Sequence, residues 1–184
     1  MRNIVQLIDL TVSRYTAQSC QTGNEQVCKV YYFTAYATWM ETSYRRHQKY
    51  ISALQSVGVE PIIGRFKKKK LKCRARCKQE FQTFEEKETD VNVGVYLVAD
   101  ALENKFDRAI VISADSDLFA AVRLARARTS DKQIDIVAPP GRMTKNHEIR
   151  PLFSIPKGKI AASRLPETVS LAGGAELAVP KEYE

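Results

Sequence analysis

Hydrophobic positions recur along this chain with two different periods. Ile4, Leu7, Ile8, Thr11, Val12 and Tyr15 follow the i, i+3, i+4, i+7 spacing of one helical face, which predicts an amphipathic helix over 4–15. A strand over Ile4–Leu10 is the weaker alternative. Gly23 and Asn24 mark a loop, and Val27–Ala35, rich in β-branched and aromatic residues, predicts a strand. Glu41–Val57 predicts a helix that buries Tyr44, Ile51 and Leu54 and closes at Gly58, a residue type suited to a left-handed cap. Val59–Phe66 reads as a second strand, followed by a basic stretch that bridges to Phe84. Val91, Val95, Val98 and Leu102 then return at helical spacing. Arg108–Ser113 is a short apolar run of the kind buried on both faces of a parallel sheet. A helix is expected over Leu118–Arg128 and a strand over Gln133–Ala138, stopped by Pro139-Pro140-Gly141. Strands alternating with helices indicate right-handed βαβ units and an α/β fold. Beyond Pro156 the prolines and paired glycines read as irregular structure, so the expected organisation is one domain over 1–156 and a C-terminal extension over 157–184. No internal repeat is visible.

Composition narrows the function class. With 184 residues, 44% hydrophobic and 27% charged, the chain is neither a disordered tail nor a membrane bundle. No apolar run reaches the roughly 18 residues of a membrane span. Asp9 interrupts the apolar stretch a signal peptide would need, so a cytoplasmic protein is expected. In that setting Cys20, Cys28, Cys73 and Cys77 read as free thiols. The C-x3-C spacing of Cys73 and Cys77 leaves zinc as the less favoured alternative, with Cys20 and Cys28 as the only other sulfurs and no zinc knuckle around either pair.

The net charge of +8 is unevenly placed. Arg65, Lys67, Lys68, Lys69, Lys70, Lys72, Arg74, Arg76 and Lys78 put nine cations into fourteen positions without one acid. A solvated loop is the plain account of such a run. Its neighbour changes the weighting, because Glu85, Glu86, Glu88 and Asp90 follow within a dozen residues. A segment that attracts polyanions and leads into carboxylates suits a nuclease better than a passive binder.

A second acidic group follows the Ile110-Val111-Ile112 strand, in Ser113-Ala114-Asp115-Ser116-Asp117. Ligands of open parallel sheets collect at such carboxyl ends, and two closely spaced carboxylates suit Mg²⁺ or Mn²⁺. Helix N-capping explains one of the two aspartates, not both. If the preceding helix begins near Glu86, Glu86 and Asp90 share a face, and Gly94 one turn on lets another backbone or a substrate come close. Acids in a first helical turn also favour the helix dipole, which accounts for Glu85, Glu86 and Glu88 without chemistry. His47 reads as an ordinary neutral or solvent-facing helix residue, Trp39 and Tyr44 as packing residues, and Ser113 and Ser116 as lacking a histidine base. Phe81 or Phe84 offers a ring for stacking bases. No nucleotide-binding glycine motif is present.

These residues resemble a known family. Glu85-Glu86-Lys87-Glu88-Thr89-Asp90-Val91-Asn92-Val93, Asp100, and Phe106-Asp107-Arg108-Ala109-Ile110-Val111-Ile112-Ser113-Ala114-Asp115-Ser116-Asp117-Leu118 are similar to the signature of the NYN domain, a branch of the PIN-like nucleases. Tyr32-Phe33-Thr34-Ala35, Arg46-His47-Gln48-Lys49-Tyr50, Gly64-Arg65-Phe66, Leu165-Pro166, Gly174 and Pro180 extend the likeness over nearly the whole chain. The resemblance implies a Rossmann-like, PIN-like three-layer sandwich with a mainly parallel sheet, and a metal-dependent ribonuclease. It makes Asp90, Asp115 and Asp117 the catalytic and metal-holding carboxylates for Mg or Mn, with Glu86 beside them, and RNA the partner of Arg65, Lys67, Lys68, Lys69, Lys70, Lys72, Arg74 and Arg76. The family's first acid sits in an N-terminal strand reading Ile-Asp-Gly-x-Asn, of which Ile8-Asp9 matches two residues. Only 22 positions separate Asp9 from Tyr31. Either Asp9 is a degenerate equivalent or the chain begins after that strand, and the spacing favours the second. A missing strand would leave a sheet edge for a homo-oligomer or protein partner to cover and would weaken catalysis. The alternative function is therefore a catalytically impaired RNA-binding or protein-interaction module of the same fold. Some proteins with this domain are linked to hydroxylation of N-heterocycles, but no flavin or nicotinamide motif here supports that reading.

Overall fold

Two parallel strand pairs carry the architecture, each built by a strand–helix–strand segment of the expected kind. The computed structural model describes residues 27–73, 77–143 and 148–179, so the helix expected over 4–15 lies outside the described residues. β1 (Val30–Ala35) leads through α1 (Glu41–Ser56) into β2 (Val59–Lys72), and β1 pairs parallel with β2 from Val30 opposite Val59 to Ala35 opposite Gly64. The α1–β2 turn is made by Gly58 at φ +85°, the left-handed conformation a glycine adopts without a Cβ penalty.

β2 then runs on past the strand end expected at Phe66. From Arg65 to Lys72 it pairs antiparallel with β3 (Glu80–Lys87), so the basic stretch is half of a β-hairpin and not a bridging loop. Lysines have little intrinsic preference for strands. Here the acids of β3 compensate them across the ladder. Gly64 sits where β2 changes partners, and a Cβ there would lie 2.8 Å from the Lys87 carbonyl oxygen.

α2 (Thr89–Leu102) follows β3, beginning later than the start expected near Glu86. β4 (Arg108–Ile112), a 3₁₀ turn (Ser116–Leu118), α3 (Phe119–Arg128) and β5 (Gln133–Val137) complete the second unit, with β4 parallel to β5. Alternate residues of this pair serve two cores. Ala109, Val111, Ile134 and Ile136 face Leu97, Ala101, Phe119, Val122 and Ala125 of α2 and α3. Ile110, Ile112 and Val137 pack with Phe153, Ile155 and Ile160 on the other side. Across β1 and β2, Ile51 and Leu54 of α1 pack on Val30, Tyr32 and Val59, whereas Tyr31 and Phe33 meet Tyr96 of α2 edge-on at 5.2 and 5.6 Å.

The fold is thus α/β, with mixed pairing. Among the described residues β1–β2–β3, β4–β5 and a small antiparallel pair form separate sheets. The extension expected to be irregular beyond Pro156 instead holds α4 (Lys157–Ala162) and a hairpin of β6 (Thr168–Ser170) and β7 (Glu176–Ala178). Leu165 joins the core under α1, which fixes this segment to the body of the protein. No helix among the described residues is long and apolar enough to cross a membrane.

Candidate active site and nucleic-acid interface

The loop at the carboxyl end of β4 is organised by its own polar side chains. Ser113 Oγ accepts the Asp115 N–H at 3.0 Å, and Asp115 Oδ1 accepts the Asp117 N–H at 2.9 Å, capping the 3₁₀ turn. Ser113 is accordingly a loop-ordering residue. Asp115 does cap, as one aspartate was expected to, but only with one oxygen; Asp117 is exposed and caps nothing. α2 packs against this turn and against α3, where a Cβ built on Gly94 would stand 3.1 Å from Ala121 Cβ. The close approach at Gly94 is thus made by a side chain of α3, not by the backbone or substrate expected there.

Asp90 is exposed in the first turn of α2, the helix that packs on the turn after β4. Its carboxyl is raised above the ordinary aspartate value of 3.8, first by burial and then by the charges of Asp115, Glu86 and Asp117. These four acids share one electrostatic neighbourhood. Glu86 reaches it from β3 and not, as expected, from the helix of Asp90; Thr89 Oγ1 donates a hydrogen bond to it. Glu88, between strand and helix, has φ +76° and pairs with Arg65 at 2.6 Å. Hard oxygen donors that repel one another are the right kind of ligand set for Mg²⁺ or Mn²⁺. Among the described residues no three His, Cys, Asp or Glu side chains converge into a closed metal-holding group as they stand.

Of the two readings of His47, the solvent-facing one is overturned. It is only 7% exposed, with Nε2 3.3 Å from Thr34 Oγ1 and the Tyr36 ring edge-on at 5.1 Å. Burial lowers its pKa below 6.5, and the charge of Glu86 opposes that shift, so β1, α1 and the acidic site adjoin here. The available signal was spacing, since His47, Ile51 and Leu54 fall on one face of α1. Asp100 is also buried, but it serves structure: it accepts Tyr31 Oη at 2.8 Å and Lys105 Nζ at 3.0 Å, about 15 Å of helix away from Asp90.

The hairpin separates the basic block into two faces. Lys68 opposite Phe84, Lys70 opposite Gln82 and Phe66 opposite Glu86 share one face; Arg65, Lys67, Lys69 and Leu71 share the other. Lys69 and Lys87 both reach Glu85, at 3.4 and 2.7 Å, and Lys72 reaches Glu80 at 3.4 Å. Arg74 and Arg76 lie outside the described residues. Trp39 stacks flat on Phe84, centroids 3.6 Å apart and planes 5° apart, while Phe66 meets it edge-on at 4.8 Å. Phe81 is exposed on the opposite face, across from Leu71.

Cys73 and Cys77 bracket the hairpin tip, where Cys73 N–H donates to the Gln79 carbonyl at 2.8 Å. The Cys77 thiol is held below its usual range by the Gln79 backbone and then by the Cys73 thiol. Cys28 precedes β1, with its thiol on the Lys105 carbonyl, so about 40 Å of β2 separates it from the pair. It cannot complete a four-sulfur zinc site with them. Cys20 lies outside the described residues.

A family model described as the NYN domain matches residues 7–150, a span that takes in Asp9. Among curated proteins, the chain is 28% identical over 92 residues to 6-hydroxy-3-succinoylpyridine 3-monooxygenase HspA of Pseudomonas putida (strain DSM 28022 / S16). That alignment covers 46% of this chain and 29% of the relative, so the chain spans less than a third of that protein's length. No solved structure matches the chain.

Proposed function

The chain belongs to the NYN domain family, and from that premise we propose that it is a metal-dependent endoribonuclease acting on RNA phosphodiesters at the Asp90, Asp115 and Asp117 cluster. The observation that carries this reading is the raised carboxyl of Asp90, which feels Asp115, Glu86 and Asp117 together at the carboxyl end of β4. Asp90, Asp115 and Asp117, with Glu86 beside them, would hold Mg²⁺ or Mn²⁺. A bound divalent ion supplies an activated water and offsets the charge that builds on the phosphate. The protein's own contribution is positioning. Ser113 and the Asp115 cap fix the β4 loop, the α2–α3 contact at Gly94 fixes Asp90 against it, and the cations of the β2–β3 hairpin draw the polyanion in.

Cleavage of an end-labelled RNA in Mn²⁺ tests the proposal, with Asp115→Asn as control. Cleavage by the wild type and a loss of at least 100-fold in the variant is expected. Equal cleavage by both would remove it. A second reading, an RNA-binding module without turnover, draws on the open arrangement of the acids, since no three converge among the described residues. Salt-dependent binding with no metal-dependent cleavage selects that reading. The monooxygenase relative suggests oxygen chemistry on an N-heterocycle. The chain spans 29% of that protein, and its sequence has no flavin or nicotinamide motif, so this is the weakest of the three.

A further inference from the structure

Strand parity gives the two faces of the β2–β3 hairpin different chemistry. On the Arg65–Leu71 face much of the cationic charge is already matched, by Arg65–Glu88, Lys69–Glu85 and Lys87–Glu85. On the other face Lys68 and Lys70 form no ion pair among the described residues, and their cross-strand neighbours are Phe84 and Gln82. Beside Lys68 lies the Trp39–Phe84 stack, braced by the edge of Phe66. Trp39 nevertheless stays 39% exposed. An indole held rigid by a second ring and left open to water, next to two uncompensated ammonium groups, is poorly explained by core packing. The same face ends at Glu86, opposite Phe66, and Glu86 is one of the acids felt by Asp90. Glu86, the aromatic stack level with Lys68, and then Lys70 therefore follow one another along a single face, with about 14 Å of strand from Glu86 to Gln82.

We propose that this face is a single-stranded RNA track, on which a base stacks on Trp39 while Lys68 and Lys70 hold neighbouring phosphates. The stack lies level with Lys68, between Glu86 and Lys70, so the bound strand runs from the hairpin toward Asp90. This deepens the ribonuclease reading and rests on it for the choice of RNA. The stacking contact is tolerant of base identity, because every base offers a ring face, whereas the lysine contacts depend on salt. A double helix hides its base faces and gains only the lysine contacts.

Trp39 is the sole tryptophan of the chain, so its fluorescence reports the site directly. Full-length protein carrying Asp115→Asn, which prevents turnover, is titrated with a ten-residue oligoadenylate and with an abasic strand of equal length. Saturable quenching by the first and none by the second is expected. Lys68→Gln/Lys70→Gln should weaken the titration at least tenfold, and Lys67→Gln/Lys69→Gln clearly less. By anisotropy of a labelled strand, Trp39→Leu should lose about 5- to 100-fold in affinity, with circular dichroism unchanged. Absence of quenching at saturation overturns the track, as does equal competition by double-stranded RNA or an equal loss in both lysine pairs. The two proposals fail separately: quenching without metal-dependent cleavage by the wild type keeps the track and removes the reaction, and cleavage without quenching does the reverse.

Discussion

Asp90 is the acid on which partial desolvation and the charges of Asp115, Glu86 and Asp117 act together. Its raised pKa means that the folded state holds a proton there more tightly than the unfolded chain does. Ionising it costs stability, and that cost grows as pH rises from the ordinary 3.8 through the raised value, remaining in full at neutral pH. Asp90→Asn should therefore melt slightly higher than the wild type at pH 7, by about 1 °C at most because the exposed carboxylate is screened by water, with the difference vanishing near pH 3. Thermal unfolding across that range checks it; a variant that melts lower at pH 7 would refute the repulsion. The elements that carry Asp90, Asp115 and Asp117 were legible in the sequence because each acid stands beside an apolar run. His47 was not, since a histidine between Arg46 and Gln48 looks solvated until the face shared with Ile51 and Leu54 is counted. Trp39 was passed over for a similar reason: its partners, Phe66 and Phe84, come from strands that only the hairpin brings together.

The β2–β3 hairpin is the element that local patterning hides. Four consecutive lysines contradict strand propensity, and their partners, Glu85, Phe84, Thr83 and Gln82, stand twelve to eighteen residues further on, beyond the reach of any short sequence window. The helix start shifts for the same cause. Glu85 and Glu86 look like a favourable first helical turn, but the ladder claims them, and the chain turns at Glu88 with φ +76° before α2 begins. β4, α3 and β5, in contrast, appear where their apolar periods place them, because both faces of that strand pair are buried by neighbours close in sequence. Gly64 is where the hairpin joins the parallel pair. Gly64→Ala would press a Cβ onto the Lys87 carbonyl oxygen at 2.8 Å and near Thr89 Oγ1 at 3.0 Å, the backbone that leads to Asp90. A loss of about 1–3 kcal/mol in stability is expected by denaturant unfolding. An unchanged midpoint would mean that the junction is looser than its geometry.

At the scale of the whole molecule, the excess of +8 is concentrated on the β2–β3 hairpin in spite of Glu80, Glu85 and Glu86, and Asp90, Asp115 and Asp117 lie on the body that it adjoins. Such a distribution attracts a polyanion at long range and confines the chemistry to one end of the track. If Lys68 and Lys70 with a few further cations make the phosphate contacts, log affinity for single-stranded RNA should fall against log salt with a slope of about −1.5 to −3. A slope near zero would argue against an electrostatic interface. What the family resemblance added to the residues was the pairing of two acidic groups across some 25 positions, which periodicity alone could not connect; packing of α2 on the β4 loop supplies the physical link. The most direct test of the account is calorimetric titration of Mn²⁺ into the wild type, Asp90→Asn and Asp117→Asn. Saturable binding by the wild type, weakened at least tenfold in both variants, is the predicted result; equal binding by all three, or none by the wild type, would contradict a shared carboxylate pocket.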